Sequence, residues 1–258
     1  MTPGGWRGPA AGVGWAVVGL VIFLAPYAQV PIWPFAYSAV ALLAWGALRW
    51  GRAMSDRMAL PRTAPEWAAT VGLGLGLGAL FLLWVVPTLA DAQRLGLLPW
   101  PRHVQAQLLF QAWNEEIVLG ALFLLPLVRR TKRPVLTSVT VALVFAGLHV
   151  LLYGFGAHGR WLDPMAVATL VAVGALRNVL LLLTGHIGLA FALHAAWNVS
   201  MFAGVWYQVP GMWRLSEPQV FDAFLGQPAM VVATAVAAVL GHVALARRTL
   251  REGEGRST

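Results

Sequence analysis

Long apolar stretches, each bounded by proline, glycine or charged residues, follow one another along most of the chain. Each stretch is close to the roughly 20 residues that an α-helix needs to cross the hydrocarbon core of a bilayer. The pattern predicts about eight membrane-spanning helices, at residues 12–30, 32–50, 68–90, 104–128, 135–154, 164–184, 186–207 and 228–246. We therefore predict an all-α fold, a polytopic transmembrane helical bundle, with residues 1–258 in a single integral membrane domain.

The composition supports the membrane class and narrows the chemistry. Hydrophobic residues make up 59% of the chain and charged residues only 11%, which is more apolar than a soluble domain can bury. The chain contains no cysteine. This excludes a disulfide framework, a thiolate nucleophile and a cysteine-ligated metal site.

The formal net charge of +8 reflects basic residues that are unevenly divided between the predicted connections. With eight spans, one side of the membrane receives thirteen of them and the other side receives four. The thirteen are Arg7, Arg49, Arg52, Arg57, Arg62, Arg129, Arg130, Lys132, Arg133, Arg247, Arg248, Arg251 and Arg256. The positive-inside rule then predicts that both termini are cytoplasmic, with the first span retained as a helix. Because the basic residues do not form one stripe with interleaved aromatics, we expect no nucleic-acid partner.

Four glycines in the third predicted span have the spacing of a helix packing motif. The pairs Gly72/Gly76 and Gly74/Gly78 each place two small residues four positions apart. This spacing allows two membrane helices to approach closely. The sequence therefore predicts that another helix packs against this face.

Two adjacent carboxylates, Glu115 and Glu116, lie near the middle of the fourth predicted span. An ionisable side chain at bilayer depth is costly, so such residues generally face protein or water and mark a functional site. Neighbouring helix positions point about 100° apart, so one carboxylate can face a central cavity while the other contacts a neighbouring helix. The alternative is a purely structural carboxylate pair neutralised by an arginine. Arg177, in the sixth predicted span, is the candidate for that partner.

Two further spans each carry polar groups spaced one helical turn apart. Phe145 and His149 lie four positions apart in the fifth span, and His194 and Asn198 lie four positions apart in the seventh. Each pair therefore shares a helix face. Together with the glutamates, they supply a base for water, a second group to position it and donors for a developing oxyanion. This set of groups is typical of peptide hydrolysis.

Two other interpretations of these residues stay open. A lone histidine inside the membrane more often forms a hydrogen bond between helices than acts as a catalyst. Ordinary packing explains Phe145 at least as well as a role in shaping the site. Glu115, His149 and His194 are also of the residue types that bind a divalent metal such as zinc, although the chain lacks an H-E-x-x-H sequence. We favour chemistry without a metal or other cofactor.

At these positions the sequence resembles the CPBP family of intramembrane proteases, which includes the type II CAAX prenyl proteases and bacteriocin-processing or self-immunity proteins. The family motifs E-E-x-x-x-R, F-x-x-x-H and H-x-x-x-N/D correspond to Glu115–Gly120, Phe145–His149 and His194–Asn198. The resemblance covers about residues 113–199. The sequence departs from the first motif at Gly120, where the family has arginine, and Arg177 is our candidate to replace that cation.

The resemblance implies a role for each matching residue. Glu115 would activate water with help from His149, and Glu116 would orient or tune that group. His194 and Asn198 would stabilise the oxyanion. Phe145 and Arg177 would support the site.

The function predicted from the sequence is therefore an intramembrane glutamic endopeptidase, or CAAX protease-like hydrolase, that cuts a membrane-associated or lipidated protein or peptide. A non-catalytic peptide-binding immunity or regulatory protein is the alternative, and a proton-coupled transporter is a weaker one. Arginine-rich loops and the habit of the family favour the cytoplasmic membrane of a prokaryote. The sequence identifies neither the substrate nor the oligomeric state.

Overall fold

The structure is a computed structural model, and it describes residues 59–89, 109, 111–155, 160–199, 201, 219, 222 and 224–254. The predicted spans 12–30 and 32–50 lie outside these residues. The described elements are all helical and contain no strand. In chain order they are α1 (Ala64–Leu89), a π-helical segment (Glu116–Leu124), α2 (Leu125–Thr131), α3 (Pro134–Phe155), α4 (Pro164–Thr184), α5 (Gly188–Asn198) and α6 (Pro228–Glu254).

Three of these helices are long and apolar enough to cross a membrane. They contain the candidate spans Pro134–Gly154, Pro164–Thr184 and Pro228–Arg251, close to the fifth, sixth and eighth predicted spans. The all-α prediction is therefore confirmed for the described residues, three of whose helices could span a membrane. The count of eight spans and the side on which the termini lie stay predictions.

Local sequence signals fix where several helices begin and end. Thr63 and Glu66 form a reciprocal capping box at the start of α1, because each side chain accepts a hydrogen bond from the other residue's backbone N–H. Asp163 caps α4 by accepting from the backbone N–H of Met165, with proline at the first helical position. Helix α4 ends at Gly185, whose φ of 77° is a left-handed conformation that glycine adopts without strain.

The turn after Gly185 changes the boundary predicted for the seventh span. Helix α5 begins at Gly188, two residues after the predicted start at 186. The turn is held from outside by the backbone N–H of Ile187, which donates to the carbonyl of Ala59 at 2.7 Å. Helix α5 therefore begins directly after a turn that the segment around Ala59 holds in place.

Helix α4 lies at the centre of the described bundle, with α3 and α6 packed along it, while α1 packs against α5. A polar junction joins the three long helices. Asn178 of α4 donates through Nδ2 to the Ser138 carbonyl of α3 at 2.9 Å, and Nε2 of His242 in α6 lies 2.9 Å from the Ser138 hydroxyl oxygen. These hydrogen bonds fix the register of α3, α4 and α6.

The packing role predicted for the glycines of α1 is confirmed at one position. A Cβ on Gly74 would lie 3.6 Å from Cβ of Ala192 in α5, which is ordinary contact distance. At Gly72, Gly76 and Gly78, a Cβ would meet nothing within 4 Å in the part of the chain that the structure describes. The close approach of α1 and α5 is therefore centred on Gly74.

A second close glycine contact, near the polar site, is at Gly174 of α4. A Cβ there would lie 3.1 Å from Cδ1 of Phe145 and 3.3 Å from Cα of Ala142. Because one neighbour is backbone, α3 itself would have to move to admit a side chain. Gly174 therefore sets how closely α3 and α4 approach.

We predict that Gly174→Leu lowers the free energy of unfolding by about 1 to 3 kcal/mol, because the added side chain overpacks this contact. Gly147→Leu is the matched control in α3, since a Cβ there meets no described atom within 4 Å. Thermal unfolding of the two variants in the same detergent measures the difference. Equal melting temperatures would contradict the prediction.

Candidate active site

The candidate site begins where the helix that carries Glu115 and Glu116 widens. Glu115 immediately precedes the π-helical segment, and the backbone N–H of Leu125 donates to the carbonyl of Gly120, five residues earlier. The sequence predicted an ordinary α-helix here, and the structure differs. Such π turns are rare and occur frequently at functional sites.

His194 of α5 contacts both glutamates. Its Nδ1 lies 2.9 Å from Oε1 of Glu116, and its Nε2 lies 3.6 Å from Oε2 of Glu115. All three residues are buried. The structure therefore brings together an acid pair and a histidine that are 78 residues apart in the sequence.

Arg177 of α4 supplies a fixed positive charge to this cluster. Its Nη1 lies 3.2 Å from Oε1 of Glu116, and both side chains are only 1% exposed. The contact is ionic without hydrogen-bond alignment, and no nitrogen of the guanidinium has a hydrogen-bond acceptor among the described residues. Arg177 therefore places a positive charge directly beside the carboxyl group that also contacts His194.

Phe145 belongs to the hydrophobic core and also contacts the charged and imidazole groups of the site. Its ring lies 4.3 Å from the Cζ atom of Arg177, a cation–π geometry. The ring centroids of His149 and His194 lie 4.4 Å and 6.4 Å from the Phe145 centroid. One aromatic side chain therefore separates and orients the arginine and the two imidazoles.

The hydrogen bond of His149 defines its neutral tautomer. Its Nδ1 lies 2.9 Å from the carbonyl oxygen of Phe145. Because a carbonyl can only accept, Nδ1 carries the proton and donates. In the neutral ring, Nε2 then holds a lone pair, which is the state that a proton acceptor needs.

Asn198 lies one helical turn beyond His194 on α5 and is buried. Its side chain makes no hydrogen bond to Glu115, Glu116 or either histidine within the described part of the chain. The structure therefore places it beside the cluster without joining it to the carboxylates.

Sequence reasoning missed one residue of the site. Gln111 is half-buried and donates through Nε2 to Oε1 of Glu115 at 3.2 Å. Its position four residues before Glu115 was the available signal, since residues at that spacing meet on one helix face. The hydrogen bond leaves Oε2 of Glu115 as a buried oxygen with no hydrogen-bond donor among the described residues.

The space beside Gly120 is filled by apolar side chains. A Cβ at this position would lie 2.9 Å from Cδ2 of Leu181 and 3.7 Å from Oε2 of Glu116. A long side chain at position 120 would therefore point toward the carboxylate but collide with Leu181. Glycine leaves room for Leu181, and the cation next to Glu116 comes from α4 instead.

The arrangement does not resemble a conventional three-ligand metal centre. Within the ranges that the structure describes, no group of three His, Cys, Asp or Glu side chains is placed to hold a metal ion. The set Glu115, His149 and His194, which the sequence offered as metal ligands, is not such a group.

Comparison with known proteins identifies the family to which this segment is related. Residues 99–200 match the family model described as Type II CAAX prenyl endopeptidase Rce1-like. The matched segment contains every residue of the site, and the match confirms the resemblance to the CPBP family. No curated protein and no solved structure matches the chain. The comparison thus shows that residues 99–200 are similar to an Rce1-like type II CAAX prenyl endopeptidase domain.

We predict that Arg177→Gln destabilises the protein by about 3 to 5 kcal/mol, because it leaves Glu116 as a buried charge without its cation. Adding Glu116→Gln to this variant restores part of the loss, because two neutral amides replace the unpaired ion. A double-mutant cycle on unfolding measures this coupling. Strictly additive effects would show that the two side chains do not interact.

Proposed function

We propose that this protein is an intramembrane endopeptidase in which buried glutamate and histidine side chains activate water against a peptide bond. The observation that carries the proposal is the contact of His194 with both Glu115 and Glu116 next to Arg177. Buried ionisable groups held this close are expensive, and catalysis is a reason to retain them. The Rce1-like match supports peptide hydrolysis as the reaction class.

Glu115 is the proposed general base. Its Oε2 has no hydrogen-bond donor among the described residues, so its lone pairs can accept a proton from water. Nε2 of His149, whose Nδ1 proton is held by the Phe145 carbonyl, is the second acceptor that positions the same water. The resulting hydroxide attacks the carbonyl carbon, and the proton taken by Glu115 passes to the amine that leaves.

The oxyanion that forms in this step needs donors. Nδ1 of His194 faces Glu116, so His194 can donate from Nε2 only when its ring carries both protons. Glu116 faces Nδ1 of His194, and Arg177 lies against the same carboxylate oxygen, so the ring is held in position. We propose that Nε2 of His194 and the amide of Asn198 donate to the oxyanion.

The proposed substrate is a membrane-associated or lipidated protein or peptide, because the site is buried among helices that can cross the bilayer. The name of the matched family, CAAX prenyl endopeptidase, supports a lipidated C-terminal tail as the first substrate to test. The positive-inside rule favours a cytoplasmic location for both termini, and we propose the prokaryotic cytoplasmic membrane as the setting. Metal-free chemistry is part of the proposal.

We predict that Glu115→Gln and His149→Ala each lower cleavage of a prenylated reporter peptide by about 100-fold or more, because each removes a proton acceptor for water. Mass spectrometry of products from protein reconstituted in liposomes measures the effect. Glu66→Gln is the matched carboxylate control, since Glu66 caps α1 outside the site.

Equal processing by the wild type and both variants would overturn the proposal. Retained peptide binding with no cleavage by the wild type would favour the peptide-binding alternative. We also expect cleavage to survive exhaustive treatment with a metal chelator. Loss of cleavage after this treatment, with recovery on adding zinc, would contradict the metal-free mechanism.

We predict that Asn198→Ala lowers kcat by about 100- to 1000-fold with a much smaller change in KM, because an oxyanion donor acts in the transition state. Steady-state kinetics with the same reporter separate the two constants. A change confined to KM would instead assign Asn198 to substrate binding.

A further inference from the structure

Two clusters of exposed basic side chains lie far from the candidate site. The first cluster, in the last turn of α2 and the connection to α3, contains Arg129, Arg130, Lys132 and Arg133. The second cluster, in the last turns of α6, contains Arg247, Arg248 and Arg251. The two clusters are more than 100 residues apart in the sequence. Whether they form one surface depends on the register of the helices that carry them.

The polar junction of Ser138, Asn178 and His242 sets that register. Arg133, directly before α3, precedes Ser138 by five residues, and Arg247 follows His242 by five residues in α6. Helices α3 and α6 run antiparallel. At 1.5 Å per residue, both clusters lie about 8 Å beyond the junction, on the same side of it. The junction therefore brings the two clusters to one end of the bundle.

A direct contact supports this placement. Nη1 of Arg248 donates to the carbonyl of Leu183 at 2.8 Å, so α6 reaches the C-terminal end of α4. On the other flank, the Thr131 and Thr137 hydroxyls, 2.8 Å apart, hold the first cluster against the start of α3. Arg248 thus lies at the end of α4, where carbonyl groups also lack helical partners, and the junction places the first cluster at the same end of the bundle.

This basic end coincides with the ends of two candidate membrane spans, which places it near the headgroups of a bilayer that those spans cross. The candidate span in α3 begins at Pro134, directly after Arg133, and the candidate span in α6 ends at Arg251. Seven basic residues at this level outnumber Glu252 and Glu254, which follow Arg251 in the sequence. A positive-inside preference explains the sidedness of these charges. It does not explain why two clusters from distant segments lie at the same end of three packed helices.

We propose that the basic end is a binding surface for the phosphate groups of anionic phospholipids. Clusters of arginine and lysine directly beside membrane-crossing helices attract anionic headgroups. The seven cations are exposed and come from two separate segments, which suits several lipid headgroups better than one small soluble anion. The surface is independent of the proposed proteolysis, because it uses none of the site residues.

The test measures how strongly spin-labelled phosphatidylglycerol and phosphatidylcholine associate with the full-length protein in vesicles. We expect the wild type to prefer phosphatidylglycerol by about threefold or more at low salt. The variant R129Q/R130Q/K132Q/R133Q and the variant R247Q/R248Q/R251Q should each lose part of this preference. Their combination should approach no preference. Arg160→Gln is the control, because Arg160 is an exposed cation before the opposite end of α4.

Three outcomes would overturn the proposal. The first is a wild type that does not distinguish the two lipids. The second is a combined variant that keeps the preference of the wild type. The third is displacement of phosphatidylglycerol by inorganic phosphate beyond that caused by chloride at equal ionic strength, which would assign the surface to a free anion. Circular dichroism verifies folding, and the salt dependence of the wild type tests the proposal even if the combined variant does not fold.

Discussion

The described structure depends on the cost of burying two adjacent carboxylates among apolar helices. Glu115 and Glu116 cannot remain there as unpaired charges, because desolvation of an ion in a low-dielectric interior costs several kcal/mol. Arg177 and His194 provide the compensation, and each comes from a different helix. Arg177 and His194 must both contact Glu116, and this requirement constrains how α4 and α5 pack against the π-helical segment.

One helix carries most of this constraint. Four positions of α4, separated by no more than one turn each, contact two neighbouring elements, α3 and the π-helical segment. Gly174 allows α3 to approach closely, and Asn178 donates a hydrogen bond to the Ser138 carbonyl of α3. Arg177 pairs with Glu116, and Leu181 fills the space beside Gly120. Arg177 contacts Glu116, and Leu181 contacts Gly120, which is four residues further along both segments. Helix α4 and the π-helical segment therefore run in the same direction. A shift of α4 by one turn would break the ion pair, the amide hydrogen bond and the glycine contact together.

The same register serves two parts of the molecule with different chemistry. Within the bundle it places Arg177 and Phe145 beside the glutamates, where water exclusion strengthens each electrostatic contact. At the end of the bundle it gathers exposed cations that solvent and headgroups can reach. Buried charges therefore specify the arrangement of helices, whereas the exposed charges act on what surrounds the protein. The proposed protease site and the proposed lipid surface are thus separate consequences of one helix packing.

The amino-acid sequence alone determined the membrane class, the three long apolar helices and the identity of the polar residues. These follow from helical length and from i, i+4 spacing, which are local properties. The sequence could not decide whether Arg177 contacts Glu116, because 61 residues separate the two side chains along the chain. It also gave no sign of the π-helical segment, since a shift of hydrogen bonding by one residue leaves the apolar pattern nearly unchanged. The central position of Phe145 and the polar junction likewise depend on contacts between distant segments. Only tertiary packing decided these features, because the energy of a buried polar group depends on which atoms surround it and not on its neighbours along the chain.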